Sequence, residues 1–198
     1  MPTFLQYLQD KTEMTPENAA LLTKDLRTGQ IKKAEFLSKQ GNICNQTFFV
    51  ETGLLRAYTL DAQGKEHIIQ FAPEGWLISD RSSAYFNEAS DFFIEAIEDS
   101  TVVFLDPEFN DRASAISANY RHYNNLALQN HIRHLQKRIN LLLGATAEER
   151  YLDFIHTYPD LTLRVPQWMI ASYLGITPEG LSRVRKELAR KNFKPGAS

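Results

Sequence analysis

Leu128, Ile132, Leu135, Ile139 and Leu142 recur at spacings of 4, 3, 4 and 3 residues. That is the apolar register of a heptad seam. The seam lies in a helix-forming stretch that starts after Pro107 and ends near Leu143, roughly 50 Å at about 1.5 Å per residue. The opposite face carries Asn130, Arg133, Lys137 and Asn140. A small domain of the same chain has too little surface to cover so long and narrow an apolar edge. The pattern therefore predicts a dimerisation helix over 111–144, with those five residues as the interface. The alternative is a seam lying on the rest of its own chain.

Ahead of this axis, residues 3–27 carry helical spacing in Phe4, Leu5, Leu8, Leu21, Leu22 and Leu26, and Thr15-Pro16 marks a second helix start. From about Ile31 to Leu105 short apolar runs alternate with turn residues: TFFV, LLRAYTL, KEHIIQFA. The Asp61–Gly64 turn joins two of these runs as a hairpin. Further strands are expected at Phe92–Ile97 and Thr101–Leu105. Many short strands at this spacing predict an antiparallel β-roll over residues 1–110, in an α+β chain.

Behind the axis, Gly144 ends the long helix and Thr146 with Glu149 forms a capping box for TAEERYLDFIHTY, which Pro159 closes. Leu161, Leu163 and Val165 alternate with polar residues, which allows a short strand. A helix from about Pro166 to Leu174 follows, with Ala171 small enough for a close helix crossing. Gly175 ends it cheaply with a positive φ, Ile176 plugs the turn, and Thr177, Pro178 and Glu179 suit the first turn of a new helix. On a helical wheel Leu181, Val184 and Leu188 share one side, and Glu179, Ser182, Arg183, Lys186 and Arg190 share the other. This is a helix-turn-helix over 145–198 whose second helix has the shape and donors to enter a DNA major groove. An arginine fork can take both acceptors of guanine, and a glutamate at the helix start can accept from cytosine.

Overall charge is −2, yet the segment from Arg164 to Ser198 carries +5. That split points to a polyanion meeting the C-terminal part alone. Thr177, Pro178, Glu179, Ser182, Arg183, Lys186 and Arg190 are the candidate DNA contacts, with Arg164, Lys191 and Lys194 expected on phosphates. The competing reading is an amphipathic helix whose charges merely face water.

Other classes are disfavoured. Cys44 is the single cysteine, so neither an internal disulfide nor a four-thiolate cluster is possible. No run of 18 apolar residues suggests a membrane span, and MPTFLQYLQDKTEM does not read as a signal peptide, so a cytoplasmic protein is expected. His67 and Cys44 could be nominated as haem ligands, and His131 with His134 as a zinc pair, but no further ligands lie near them in sequence. No cofactor and no enzymatic activity are expected. A cupin-like enzyme would need histidines clustered on the strands, where only His67 falls. A ligand-binding roll that contacts protein instead of DNA remains the second reading.

The order of parts resembles the Crp/Fnr family of bacterial transcription regulators. GLLRAYTLDAQGKEHIIQFAPEG and IASYLGITPEGLSRVRKEL carry the resemblance, the latter especially similar to members from Bacteroidetes. The resemblance implies double-stranded DNA, a second copy of the chain and RNA polymerase as partners. It places Glu179 and Arg183 at the family's base-reading positions, with Pro178 where the family often has arginine. The family usually continues into a β-hairpin wing. Only NFKPGAS follows Lys191, so no wing contacts are expected. Cyclic-nucleotide members carry a Gly-Glu-Leu and Arg-Ser-Ala cassette. Aligned without gaps, Asp80 falls near that glutamate, and Ser90, Asp91 and Phe92 fall at the Arg-Ser-Ala site. The phosphate-neutralising arginine is missing and Asp91 adds repulsion. Losing one partner of a desolvated charge pair costs about 2–5 kcal/mol, so cyclic AMP is not expected to bind, and the effector is unknown. Asp80, Arg81, Ser90 and Asp91 are the candidate effector-pocket residues.

Overall fold

The structure is a computed structural model that describes residues 3–192. Two short helices, α1 (Phe4–Thr12) and α2 (Pro16–Thr23), open the chain. Thr3 and Gln6 form a capping box on α1, and Thr15 caps α2 ahead of Pro16. Phe4 anchors α1 by packing its ring against Phe49 and Phe109.

Eight strands follow: β1 (Arg27–Ile31), β2 (Phe36–Ser38), β3 (Thr47–Thr52), β4 (Leu55–Leu60), β5 (Glu66–Ala72), β6 (Leu77–Ile78), β7 (Phe93–Ala96) and β8 (Ser100–Leu105). They form two antiparallel sheets, ordered β1-β8-β3-β6 and β2-β7-β4-β5. Phe48, Val50, Leu55, Ile94, Val102 and Phe104 fill the space between them, with Phe48 edge-on to Phe104. The Asp61 turn forms because its carboxylate accepts the Gln63 and Lys65 amides and Gly64 takes φ 79°. It sets the β4–β5 register at Leu60 opposite Glu66. A short helix, α3 (Arg81–Phe86), links β6 to β7.

The long helical stretch is two helices, α4 (Phe109–Ile116) and α5 (Ala118–Gly144). Ser117 leaves helical geometry at φ −136°, ψ 118° and caps α5 by accepting the Tyr120 amide. The 27 residues of α5 span about 40 Å, shorter than the sequence suggested. The C-terminal part contains α6 (Ala147–Thr157), α7 (Leu161–Arg164), α8 (Gln167–Leu174) and α9 (Pro178–Asn192). The alternation at Leu161, Leu163 and Val165 belongs to a helical turn, not a strand. Leu161 and Val165 are buried one turn apart, while Leu163 is 91% exposed. A strand would put all three on one face, and among the described residues no strand pairs with this segment. Among the described residues no helix is long and apolar enough to cross a membrane.

The C-terminal helices are docked on the roll. β5 ends its sheet, and α8 covers it. The Ile68 amide donates to Ser172 Oγ at 3.0 Å, and that hydroxyl donates to the Glu66 carbonyl at 2.8 Å. Covering an edge strand removes a template for unwanted pairing. Beside this edge Phe71 meets Phe154, Tyr158 and Tyr173 in one aromatic cluster. Arg138 of α5 staples the junction by donating to the Ile68 and Tyr173 carbonyls.

Candidate nucleic-acid interface and effector cleft

Helices α8 and α9 form the helix-turn-helix. Gly175 turns the chain at φ 65°, and the amides of Gly175 and Ile176 close onto the Ser172 and Ala171 carbonyls. Thr177 Oγ1 accepts the Gly180 amide at 3.1 Å and starts α9. Ala171 is buried at the crossing, and Leu181 and Val184 are buried beneath α9. Burying two such side chains contributes about 3–6 kcal/mol of hydrophobic stabilisation, which fixes the face that remains outside.

That outer face consists of Thr177, Pro178, Glu179, Ser182, Arg183, Lys186 and Arg190, all exposed. Among the described residues Arg183, Lys186 and Arg190 have no ion-pair partner, whereas Lys191 pairs with Glu148 at 2.7 Å. Glu179 is held below the usual carboxylate range, first by the backbone at its own helix start, then by the Thr177 hydroxyl and Arg183. It is therefore an anionic acceptor beside cationic donors.

Arg164 does not belong to this face. Its guanidinium takes Glu74 through Nη1 and Nη2 at 2.9 Å each, and Glu98 through Nε at 3.1 Å and Nη2 at 2.7 Å. Nη2 also reaches the Gly53 carbonyl. Two bidentate carboxylates take both forked edges of the guanidinium that could grip a phosphate and already neutralise its charge. Arg164 ties α7 to the roll instead. Arg164→Ala should lower stability by about 1–3 kcal/mol, less than for a fully buried cluster because the group is partly solvated. Arg164→Lys should recover little of this, since an ammonium lacks the fork. Chemical denaturation of the three proteins measures both. Lys194 lies outside the described residues, as does NFKPGAS apart from its Asn192 backbone.

The seam of α5 is uncovered: Leu128, Ile132, Leu135, Ile139 and Leu142 keep 37 to 55% of their surface. On the opposite face Lys137 pairs with Asp153 of α6.

Asp80 is buried and structural. It caps α3 and accepts the Ser83 amide at 3.3 Å, the Ser90 hydroxyl at 2.8 Å and the Asp91 amide at 2.9 Å. Ser90 is buried beneath it, while Arg81 and Asp91 are exposed. Asp80, Arg81 and Asp91 line a cleft between the roll, α5 and the C-terminal helices, and Ser90 does not. His67 is taken by Asp61 at 2.9 Å. Among the described residues no group of three His, Cys, Asp or Glu could hold a metal ion.

The cyclic nucleotide-binding domain family model matches residues 28–113. The Anaerobic regulatory protein of Pasteurella multocida is 27% identical over 83% of this chain and 63% of its own length. Among solved structures, FixK2 from Bradyrhizobium japonicum matches with a TM-score of 0.70 at 22% identity, over 87% of this chain and 89% of its own. A chain from Eubacterium rectale described as a crp/fnr family regulator matches with a TM-score of 0.66 at 18% identity, over 98% and 92%. The chain is similar to these regulators in sequence and in fold. The two structures establish the shared fold. The chain spans under two thirds of the length of the Pasteurella relative.

Sequence reasoning missed two residues that seat the helix-turn-helix on the roll, Ser172 and Arg138, and assigned a third, Arg164, to phosphate. A second cluster also escaped it, in which buried Arg56 joins Glu66 and Glu95 and lies 5.6 Å from the Trp168 ring of α8. The one available signal was Arg56, a charge within the otherwise apolar run LLRAYTL.

Proposed function

We propose that this protein is a sequence-specific DNA-binding transcription regulator of the Crp/Fnr family that works as a homodimer. The observation that carries the proposal is the outer face of α9. Leu181 and Val184 anchor the helix, while Glu179, Arg183, Lys186 and Arg190 stay exposed although the C-terminal helices are docked on the roll. In a two-fold pair the two α9 helices would enter successive major grooves about 34 Å apart, over a near-palindromic site. RNA polymerase is the further partner that membership of that family would imply.

Arg183 has the donor geometry for a guanine and Glu179 has the acceptor geometry for a cytosine amino group. Arg183→Ala should weaken the specific site by about 1–3 kcal/mol and relax preference at one base position. Fluorescence anisotropy on a site recovered from bound genomic fragments, against random DNA, is the test. An equal loss on both DNAs would make Arg183 a phosphate contact and remove the base-reading assignment.

The roll is not a cyclic AMP receptor in this reading. The position nearest the family's ribose-binding glutamate is Asp80, whose carboxylate already accepts three internal donors. Ser90 falls at the position of the phosphate-neutralising arginine, and Asp91 adds a negative charge beside it. Phe48 against Phe104 closes the space between the sheets.

A further inference from the structure

Among the described residues four helices start on a threonine: α1 at Thr3, α2 at Thr15, α6 at Thr146 and α9 at Thr177. Each threonine hydroxyl accepts the amide three residues on. The side chain at that third place decides whether the start is fully satisfied. In α1 it is Gln6 and in α6 Glu149, and each accepts the amide of its own capping threonine. In α2 it is Asn18, after the same Thr-Pro-Glu opening that begins α9. In α9 it is Gly180, which has no side chain to reach back and is the poorest helix former after proline.

Nothing within the chain asks for this glycine. Its backbone is not in the left-handed region, unlike that of Gly175 in the turn before it. A Cβ built on Gly180 would lie 3.5 Å from Thr177 Oγ1 and 3.8 Å from Ile176 Cβ. Both are ordinary van der Waals contacts, and among the described residues nothing else comes within 4 Å. No other element crosses α9 closely at this point. Gly180 follows Glu179 directly and stands three residues before Arg183, so it adjoins Arg183 along the helix surface. Leu181, the next residue, is fully buried and fixes the height of this turn above α8. The bare α-carbon therefore leaves a notch on the outside of α9, level with its two candidate base-reading side chains.

We infer that Gly180 sets how deeply α9 seats on DNA. With no Cβ, the first turn of α9 can lie directly against the wall of the major groove. That brings Glu179 and Arg183 within hydrogen-bond reach of the base edges. A side chain at this place would stand between helix and DNA and hold both residues back by about 1.5 Å, the length of one carbon–carbon bond. A donor and acceptor separated by that much more no longer form a hydrogen bond. Gly180 is a positioning residue: it makes no base contact of its own and acts through Glu179 and Arg183. The inference rests on the regulator reading of α9.

The test compares the 198-residue chain with Gly180→Ala and Gly180→Gln. The second variant restores at α9 the capping box that Thr3 and Gln6 form at α1, and neither changes the charge. Urea unfolding should place both variants at or above the midpoint of the parent, with Gly180→Gln the higher. Fluorescence anisotropy on the site recovered from bound genomic fragments should show the opposite order. Gly180→Ala should bind that site at least about tenfold more weakly, and Gly180→Gln more weakly still. Binding to random DNA of the same length should change by less than about threefold, and the salt dependence should keep its slope because no phosphate contact is lost. Undiminished affinity of Gly180→Ala for the specific site would overturn the inference. So would a lower urea midpoint for that variant, because the glycine would then serve the fold. An equal loss on random DNA would overturn it too, because the helix would then be held off the backbone and not off the bases. Each of these results leaves the regulator reading standing, since the parent still prefers its site. A parent protein that prefers no DNA sequence would remove that reading, and the role of Gly180 with it.

Discussion

Replacing Ile132 and Ile139 together by aspartate should convert the protein to a monomer and weaken its specific DNA site by more than about 100-fold. The heptad assigns both residues to one seam position, with Leu128, Leu135 and Leu142 at the other. Isoleucine at the first and leucine at the second is the pattern that favours two parallel strands. In a parallel pair, residues at the first position face their own copies across the two-fold axis, so each aspartate would meet an aspartate. Ile132 is 42% and Ile139 55% exposed, and that surface is what pairing would bury. At about 1 kcal/mol for each half-exposed Leu or Ile, ten side chains from two helices contribute on the order of 10 kcal/mol before the cost of association. Two buried, unpaired charges per helix would more than offset that gain. Loss of DNA binding follows because one half-site alone lacks the effective-concentration advantage of the linked second. The control is Asn130→Asp with Asn140→Asp, the same charge on the reverse face, which should stay dimeric. Sedimentation and anisotropy measure the two effects, and a seam variant that remained a dimer would remove α5 as the interface.

Much of this was legible because it is local. Gly175, Thr177 and Pro178 lie within four residues and specify the turn between α8 and α9 by backbone preference alone. The Asp61 turn is equally local, since its carboxylate reaches amides two and four residues on. The wheel of α9 separated Leu181 and Val184 from Glu179, Arg183, Lys186 and Arg190, and the structure divides buried from exposed along the same line.

What escaped was either ambiguous or distant. Ser117 sits in a pattern that reads as continuous helix, and only its side-chain bond to the Tyr120 amide reveals a break. Leu161 and Val165 fit one face of a strand or of a helical turn equally well, and the exposure of Leu163 decides between them. Arg164 sits within a basic stretch and is naturally assigned to phosphate, yet its partners Glu74 and Glu98 lie 90 and 66 residues away. Asp80 reads as a candidate ligand contact until Ser90 and Asp91 fold back to occupy it. For Ser117, Arg164 and Asp80 a polar group has two uses, and tertiary structure chooses the one that pairs it.

Gly53 shows how closely this seating depends on one backbone position. Gly53→Ala should destabilise the protein by about 3–5 kcal/mol, from strain in the left-handed region and from overpacking. The residue takes φ 89°. A Cβ there would lie 2.3 Å from Ser100 Oγ, 2.7 Å from the Asp99 carbonyl and 2.8 Å from Ser100 Cα. Two of those three are backbone atoms of the β7–β8 turn and β8 itself, so no side-chain rotation relieves the clash. Moving the strand would also pull on the Arg164 junction, because the Gly53 amide donates to Glu74 and its carbonyl accepts from Arg164. Gly64 separates strain from clash. It takes φ 79° in the Asp61 turn, with nothing within 4 Å of an added Cβ, so Gly64→Ala should cost only about 1–2 kcal/mol. Urea unfolding followed in parallel by roll and helix probes should place Gly53→Ala well below Gly64→Ala. Equal midpoints for the two variants would mean that the turn at Ser100 yields freely and that Gly53 is not what holds Glu74 and Arg164 in register.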